Sequence, residues 1–133
     1  MASSTCRSPH TILVVEDADA VRRMVCAMLT QVGYRVLEAT DGAEAQRLLE
    51  EAPAQTVHLV LTDLVMPRMG GSELARYLAR NRPGVRILFM SGYADAPMLE
   101  EVERTPALFL AKPFTASALA DKIREALSGE ALP

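Results

Sequence analysis

Val57-His-Leu-Val-Leu-Thr-Asp-Leu-Val-Met-Pro67 decides how this chain is read. An apolar run stops on a carboxylate, Asp63, and Pro67 follows four residues later. The run is short, rich in Val and Leu, and has no polar alternation, which is the pattern of a strand covered on both faces of a sheet. A buried parallel strand delivers its last side chain to the carboxyl edge of the sheet, where open α/β folds place their chemistry. Asp63 is therefore the first candidate functional residue. Taken alone, it reads equally as a helix cap or a turn residue, so its standing depends on the rest of the chain.

Upstream, Thr11-Ile-Leu-Val-Val15 is a second buried-strand run, and it too ends on carboxylates, Glu16 and Asp17. From Ala18 to Val32 the apolar residues Val21, Met24, Val25, Met28, Leu29 and Val32 repeat at helical spacing, with the methionines as core filler. Gly33 is placed to end that helix. Tyr34 to Ala39 reads as a strand, Asp41-Gly42 as a turn, and Ala45, Leu48, Leu49 and Ala52 stripe a second helix closed by Pro53.

Downstream of Asp63, Gly70-Gly71 breaks the loop, and Leu74, Ala75 and Leu78 mark a third helix. Pro83-Gly84 turns into the strand Val85 to Met90, which ends on Ser91-Gly92. Asp95 caps a sparse fourth helix, with Leu99 and Val102 as its apolar contacts. Ala107 to Ala111 is the last strand, followed by Lys112-Pro113. Thr115 then caps a fifth helix carrying Leu119, Ile123, Ala126 and Leu127. Strict strand–helix alternation predicts an α/β fold: a parallel sheet with right-handed crossovers and helices on both faces. The expected organisation is a disordered arm or linker at 1–9, one domain at 10–128 and a frayed tail at 129–133.

The bulk numbers agree with one ordinary globular domain. The chain has 133 residues, half of them apolar, and a formal charge of −3. Without a long basic run, direct contact with nucleic acid or an anionic membrane is not expected. No apolar run approaches the length of a membrane span, and the N-terminus does not read as a secretory signal. The two cysteines, Cys6 and Cys26, have neither metal-ligand spacing nor histidine neighbours. They are expected as reduced thiols in a cytoplasmic protein. His10 and His58, each at a strand start, are expected at the surface without a catalytic role.

Four strand ends carry residues suited to phosphoryl chemistry: Glu16 and Asp17, Asp63, Ser91, and Lys112. In a parallel sheet these ends share one edge. Crowded carboxylates repel one another and favour a hard divalent cation such as Mg²⁺. With that charge in place a phosphoryl group can approach, and one carboxylate can attack it as a nucleophile. An ammonium and a hydroxyl nearby suit the phosphoryl oxygens.

Four stretches carry a family resemblance: Ile12-Leu-Val-Val-Glu-Asp17, Leu61-Thr-Asp-Leu-Val-Met-Pro67, Phe89-Met-Ser-Gly-Tyr93 and Leu110-Ala-Lys-Pro-Phe114. From about His10 to Ser128 the chain resembles the receiver domain of two-component response regulators. The resemblance implies a flavodoxin-like (βα)5 three-layer sandwich with strand order 2-1-3-4-5. It implies that Asp63 accepts a phosphoryl group from a histidine kinase or a histidine phosphotransfer protein. Glu16, Asp17, Asp63 and the backbone carbonyl of Val65 would hold Mg²⁺. Ser91 would bind the phosphoryl group, Lys112 would pair with it, and Phe109 would be the switch aromatic. The Lys112–Pro113 bond is similar to the family's cis peptide. Glu16 stands where many members have Asp, and Ser91 where Thr is commoner. Met90-Ser-Gly-Tyr93 and Lys112-Pro-Phe-Thr115 are similar to receivers at the C-terminus of hybrid histidine kinases.

On this reading, phosphorylation draws Ser91 and the Gly92–Pro97 loop inward, and Phe109 fills the vacated space. The face of the fourth helix, fifth strand and fifth helix then changes for a partner protein. Val65 and Tyr93, two residues past Asp63 and Ser91, are poorly suited to orient an attacking water, so slow loss of phosphate is expected. A monomer or weak dimer is expected. Three alternatives stand beside this reading. An aspartyl phosphatase would want a second Asp at position 65, which is Val. A flavin-binding flavodoxin would want a phosphate loop where Glu16-Asp17 stands. A receiver that serves only as an interaction module, never phosphorylated, keeps the fold without the chemistry.

Overall fold

The computed structural model describes residues 10–51, 57–63, 70–91, 108–112 and 114–128, the side chains of 71, 72, 91 and 108 excepted. The expected N-terminal arm, the helix capped by Asp95, the Gly92–Pro97 loop, Val65, Tyr93, Pro113 and the C-terminal tail lie outside the described residues. The elements in chain order are β1 (Thr11–Val15), α1 (Asp19–Val32), β2 (Arg35–Ala39), α2 (Gly42–Glu51), β3 (Leu59–Asp63), α3 (Gly71–Asn81), β4 (Arg86–Ser91), β5 (Leu108–Ala111) and α4 (Ala116–Ser128).

All strands pair in parallel, in the order β2-β1-β3-β4-β5. Strand residues alternate between the two faces. Ile12, Val14, Leu59, Leu61, Leu88, Met90 and Leu110 pack with Val25 and Leu29 of α1 and with Leu119 and Ile123 of α4. On the other face Leu13, Val15 and Val60 pack with Ala45 and Leu49 of α2 and with Leu74 and Leu78 of α3. β1 and β3 are buried along their whole length, as their unbroken apolar runs require.

Local chemistry sets the helix ends. Gly33 adopts φ 107°, a left-handed setting costly for residues with a Cβ, and closes α1. Its N–H bonds to the Thr30 carbonyl at 3.0 Å, and that of Tyr34 to the Leu29 carbonyl at 3.1 Å. Asp41 is a helix cap as well as a turn residue: its Oδ1 accepts from the Glu44 N–H at 2.8 Å, so α2 already begins at Gly42. Thr115 caps α4, its Oγ1 accepting from the Ala118 N–H at 3.0 Å.

The stripe on α1 is narrower than its periodicity suggests. Val25 and Leu29 are buried, whereas Met24 is 45% exposed and Val32 54% exposed. Met24 is therefore not core filler, although Met28 does pack against the core. Residues on a helix are about 100° apart, which turns Met24 to the flank of the Val25–Leu29 line. Val32 lies on that line but in the last turn, next to the Gly33 cap. Cys26 is half-buried, and burial, with a further push from Glu38, raises its thiol to about 11. An uncharged thiol of this kind is a poor nucleophile.

Candidate functional site

The strand register builds the site. Val15 lies beside Thr62, so the next residue on each strand, Glu16 and Asp63, meet at the carboxyl edge. Asp63 in turn lies beside Met90, and Ser91 beside Ala111, which puts Lys112 one step beyond the sheet. Period-two alternation adds a second condition. Glu16 follows Ile12 and Val14, Asp63 follows Leu59 and Leu61, and Lys112 follows Leu110, all residues of the face that α1 and α4 cover. Three chemically committed residues from three strands thus come up on the same side of the sheet.

They are in contact. The Lys112 Nζ donates to Asp63 Oδ1 at 3.0 Å and lies 3.4 Å from Glu16 Oε1. Glu16, Asp17 and Asp63 each offer a carboxylate oxygen, and these oxygens lie within 4.8 Å of one another. Glu16 is 2% exposed and Asp63 8%, whereas Asp17 is open to solvent. The main chain is braced as well: the Thr62 hydroxyl donates to the Asp63 carbonyl oxygen at 2.9 Å.

Electrostatics follow from this crowding. Burial pushes the Glu16 carboxyl above its ordinary range, and Asp63 adds to that push. The Ala18 N–H, which bonds to Glu16 Oε2 at 3.1 Å, and Lys112 pull it back. Burial would lower the Lys112 ammonium, but the hydrogen bond and charge of Asp63, with Glu16, outweigh it and hold its pKa above the usual value. Among the described residues, two carboxylates face the one ammonium and a third stands beside them, so acidic groups are in excess. An all-oxygen donor set, two members buried and one open to solvent, fits a hard divalent cation that retains some water.

Of the residues expected from sequence, Glu16, Asp17, Asp63 and Lys112 come together. Ser91 ends β4 beside Ala111, with its side chain outside the described residues. Val65 lies outside them too. Phe109 is partly buried and stacks on the fully buried Phe89, ring centroids 5.4 Å apart at 24°. His58 differs from expectation. It is half-buried and its Nδ1 accepts from the Thr11 N–H at 2.9 Å, so it anchors the start of β1 at the opposite edge. Sequence reasoning missed Arg22, whose guanidinium reaches the Glu16 carbonyl oxygen at 3.0 Å. An arginine beside an apolar helix stripe is too ordinary a pattern to have marked it.

Among the described residues, no helix is long and apolar enough to cross a membrane. The response regulator receiver domain family matches residues 12–124. The chain is 39% identical over 118 residues to the sensor kinase CckA of Brucella abortus, covering 88% of this chain but only 12% of that kinase. It is 36% identical over 117 residues to the response regulator receiver protein CpdR of the same organism, covering 87% of this chain and 95% of CpdR. Among solved structures, the receiver domain of the hybrid histidine kinase CckA superposes with a TM-score of 0.72 at 36% identity, covering 88% of this chain and 98% of that one. A CheY-like receiver domain protein of Methanospirillum hungatei superposes with a TM-score of 0.81 at 29% identity, covering 91% and 95%. Sheet order, flavodoxin-like layering and the match across residues 12–124 agree, and the chain belongs to the response regulator receiver domain family.

Proposed function

We propose that this chain is a Mg²⁺-dependent phosphoacceptor in a two-component phosphorelay, with Asp63 as the residue phosphorylated. The observation that carries the reading is the Lys112 ammonium set between Asp63 and Glu16, with Asp17 completing a three-carboxylate cluster. The donor is a phosphohistidine on a histidine kinase or a histidine phosphotransfer protein. A carboxylate oxygen of Asp63 attacks phosphorus, the phosphorus–nitrogen bond breaks, and its electron pair leaves with the imidazole. Lys112 neutralises phosphoryl oxygens, and the Ser91 hydroxyl donates a hydrogen bond to one of them. Glu16, Asp17, Asp63 and the Val65 carbonyl are the proposed ligands of Mg²⁺, which when bound supplies the positive charge that lets an anionic group approach.

The proposed output is a change in the face made by the helix expected after Asp95, β5 and α4, read by a partner protein. Movement of Ser91 toward the phosphoryl group and of Phe109 off its Phe89 stack is the proposed switch. Unchanged NMR shifts on that face after phosphorylation would contradict it. The chain catalyses only its own phosphorylation and dephosphorylation on this reading, as a cytoplasmic monomer or weak dimer without nucleic-acid or membrane contact of its own. It serves either as a free-standing regulator or as the receiver of a hybrid kinase.

Acetyl phosphate with Mg²⁺, followed by intact mass, tests the proposal. Wild type is expected to gain one phosphoryl group and Asp63→Asn none. No adduct, together with no Mg²⁺-dependent binding of beryllofluoride, would leave an interaction module that is never phosphorylated. Phosphate loss should be slow and should quicken in Val65→Asn, where an amide can orient water. Faster decay in wild type would contradict that expectation.

A further inference from the structure

We infer that Arg22 is a positioning residue for the carboxylate cluster: it fixes the peptide between Glu16 and Asp17. The inference rests on the cluster being the Mg²⁺ site. β1 ends at Val15, and the N–H of Glu16 still finds a strand partner, the Ala39 carbonyl, at 3.1 Å. The Glu16 carbonyl lies past Val15, the last residue of β1 paired with its neighbours, and the Arg22 Nη1 donates to it at 3.0 Å. The same guanidinium donates from Nε to Glu38 Oε1 on β2 at 2.9 Å and pairs through Nη2 with Asp19 Oδ1 at 2.7 Å. Arg22 thus ties together the β1 turn, the neighbouring strand and its own helix, with its side chain only 11% exposed.

The fork geometry matters, because three nitrogens of one planar group point to three acceptors. The ion pairs with the half-exposed Glu38 and the exposed Asp19 contribute little energy by themselves. Their effect is to aim the guanidinium at the carbonyl. Glu16 has other restraints on its carboxylate, from the Ala18 N–H and Lys112. Among the described residues Asp17 has no hydrogen-bond partner, so the main chain that Arg22 holds determines where its carboxylate stands. A rotation of the Glu16–Asp17 peptide would swing one of the three oxygens away from the other two.

Mg²⁺ titration of the whole chain, followed by amide NMR shifts, tests the inference beside thermal unfolding of each variant. Arg22→Met is expected to weaken Mg²⁺ binding about tenfold, the scale of losses when a partner that orients a metal ligand is removed. Arg22→Lys, which keeps the charge but not the fork, should fall about threefold, and Glu38→Gln about twofold. Arg47→Met removes an exposed pair on α2 and should leave the affinity unchanged. Leu48→Ala, on the opposite face of the sheet, should lower stability without lowering affinity. Folded Arg22→Met that binds Mg²⁺ like wild type overturns the inference, as does an equal loss in Leu48→Ala. If Arg22→Met does not fold, Arg22→Lys and Glu38→Gln decide it by the same criterion. Wild type that binds no Mg²⁺ overturns the functional reading and this inference together.

Discussion

At the amino end of the sheet, Arg86 donates from Nε to the Ala126 carbonyl in the last turn of α4, at 3.1 Å, and Arg82 donates from Nη2 to the Leu49 carbonyl near the end of α2. At the carboxyl end, Lys112 faces two carboxylates and a third stands beside them. Both ends hold cations against oxygen, but the consequences differ. A guanidinium on helix C-terminal carbonyls meets backbone acceptors that have no partner within the helix, and it complements the helix dipole. Such a cation braces the fold. His58 braces the fold too, but as an acceptor: its Nδ1 takes the Thr11 N–H, while the His10 ring stands edge-on to it at 4.9 Å. Among the described residues, the carboxyl end instead gathers three carboxylates around one ammonium, and the proposed cation and phosphoryl site rests on that surplus. Charged residues become chemistry where the sheet forces like charges together.

The sharpest way to break this contrast is to disable one residue at each end. Asp63→Asn should abolish the Mg²⁺-dependent mass gain, and Mg²⁺ should raise the melting temperature of wild type but not of this variant. Arg86→Ala should do the reverse. Urea unfolding should show a loss of about 1–3 kcal/mol from an unsatisfied part-buried carbonyl, with the mass gain intact. Equal stability costs at the two ends would dissolve the distinction.

A smaller effect is expected at the ion pair itself. Lys112→Gln leaves Glu16 and Asp63 facing each other without their cation. About 1 kcal/mol of stability should be lost in chelator, since the lysine is partly exposed, and Mg²⁺ should restore more of the melting temperature than it adds to wild type. No Mg²⁺-specific recovery would mean that the lysine only braces the fold.

The smallest effect sharpens the contrast at the start of α2, where a carboxylate serves structure alone. Glu44 Oε1 accepts from the Thr40 N–H at 2.7 Å and from its hydroxyl at 2.8 Å, and these bonds hold its pKa below the ordinary value. A carboxyl whose folded-state pKa is depressed contributes stability above its unfolded pKa and loses it as the pH falls through the folded value. Glu44→Gln should therefore cost about 0.5 kcal/mol near neutrality. The difference from wild type should vanish in acid, and a gap that persists there would contradict the assignment.

Much of this was legible in the sequence because burial on both faces leaves a direct mark. The runs at Thr11–Val15 and Leu59–Asp63 are apolar without alternation, and both are buried strands in the structure. Glu16, Asp17, Asp63 and Lys112 could be named because each ends a strand or stands within two residues of its end. β2 was harder, since an edge strand with exposed Arg35, Leu37 and Glu38 leaves a weaker pattern. The exposure of Met24 and Val32 was not legible, because helical periodicity locates a face but not how far the neighbouring sheet extends beneath it. Asp41 as a cap, His58 as an acceptor and Arg22 as a clamp depend on partners distant in sequence or on local backbone geometry that residue type leaves open.

By itself, the sequence determined the alternation of strands and helices, the apolar faces, and the residues that close each strand. Hydrophobic period and cap chemistry are local properties, readable within a few residues. Only the tertiary structure decided that Glu16 stands beside Asp63 and that Lys112 reaches both. Those distances depend on the register of parallel strands, which is set by packing across the sheet between residues 47 to 96 positions apart in sequence.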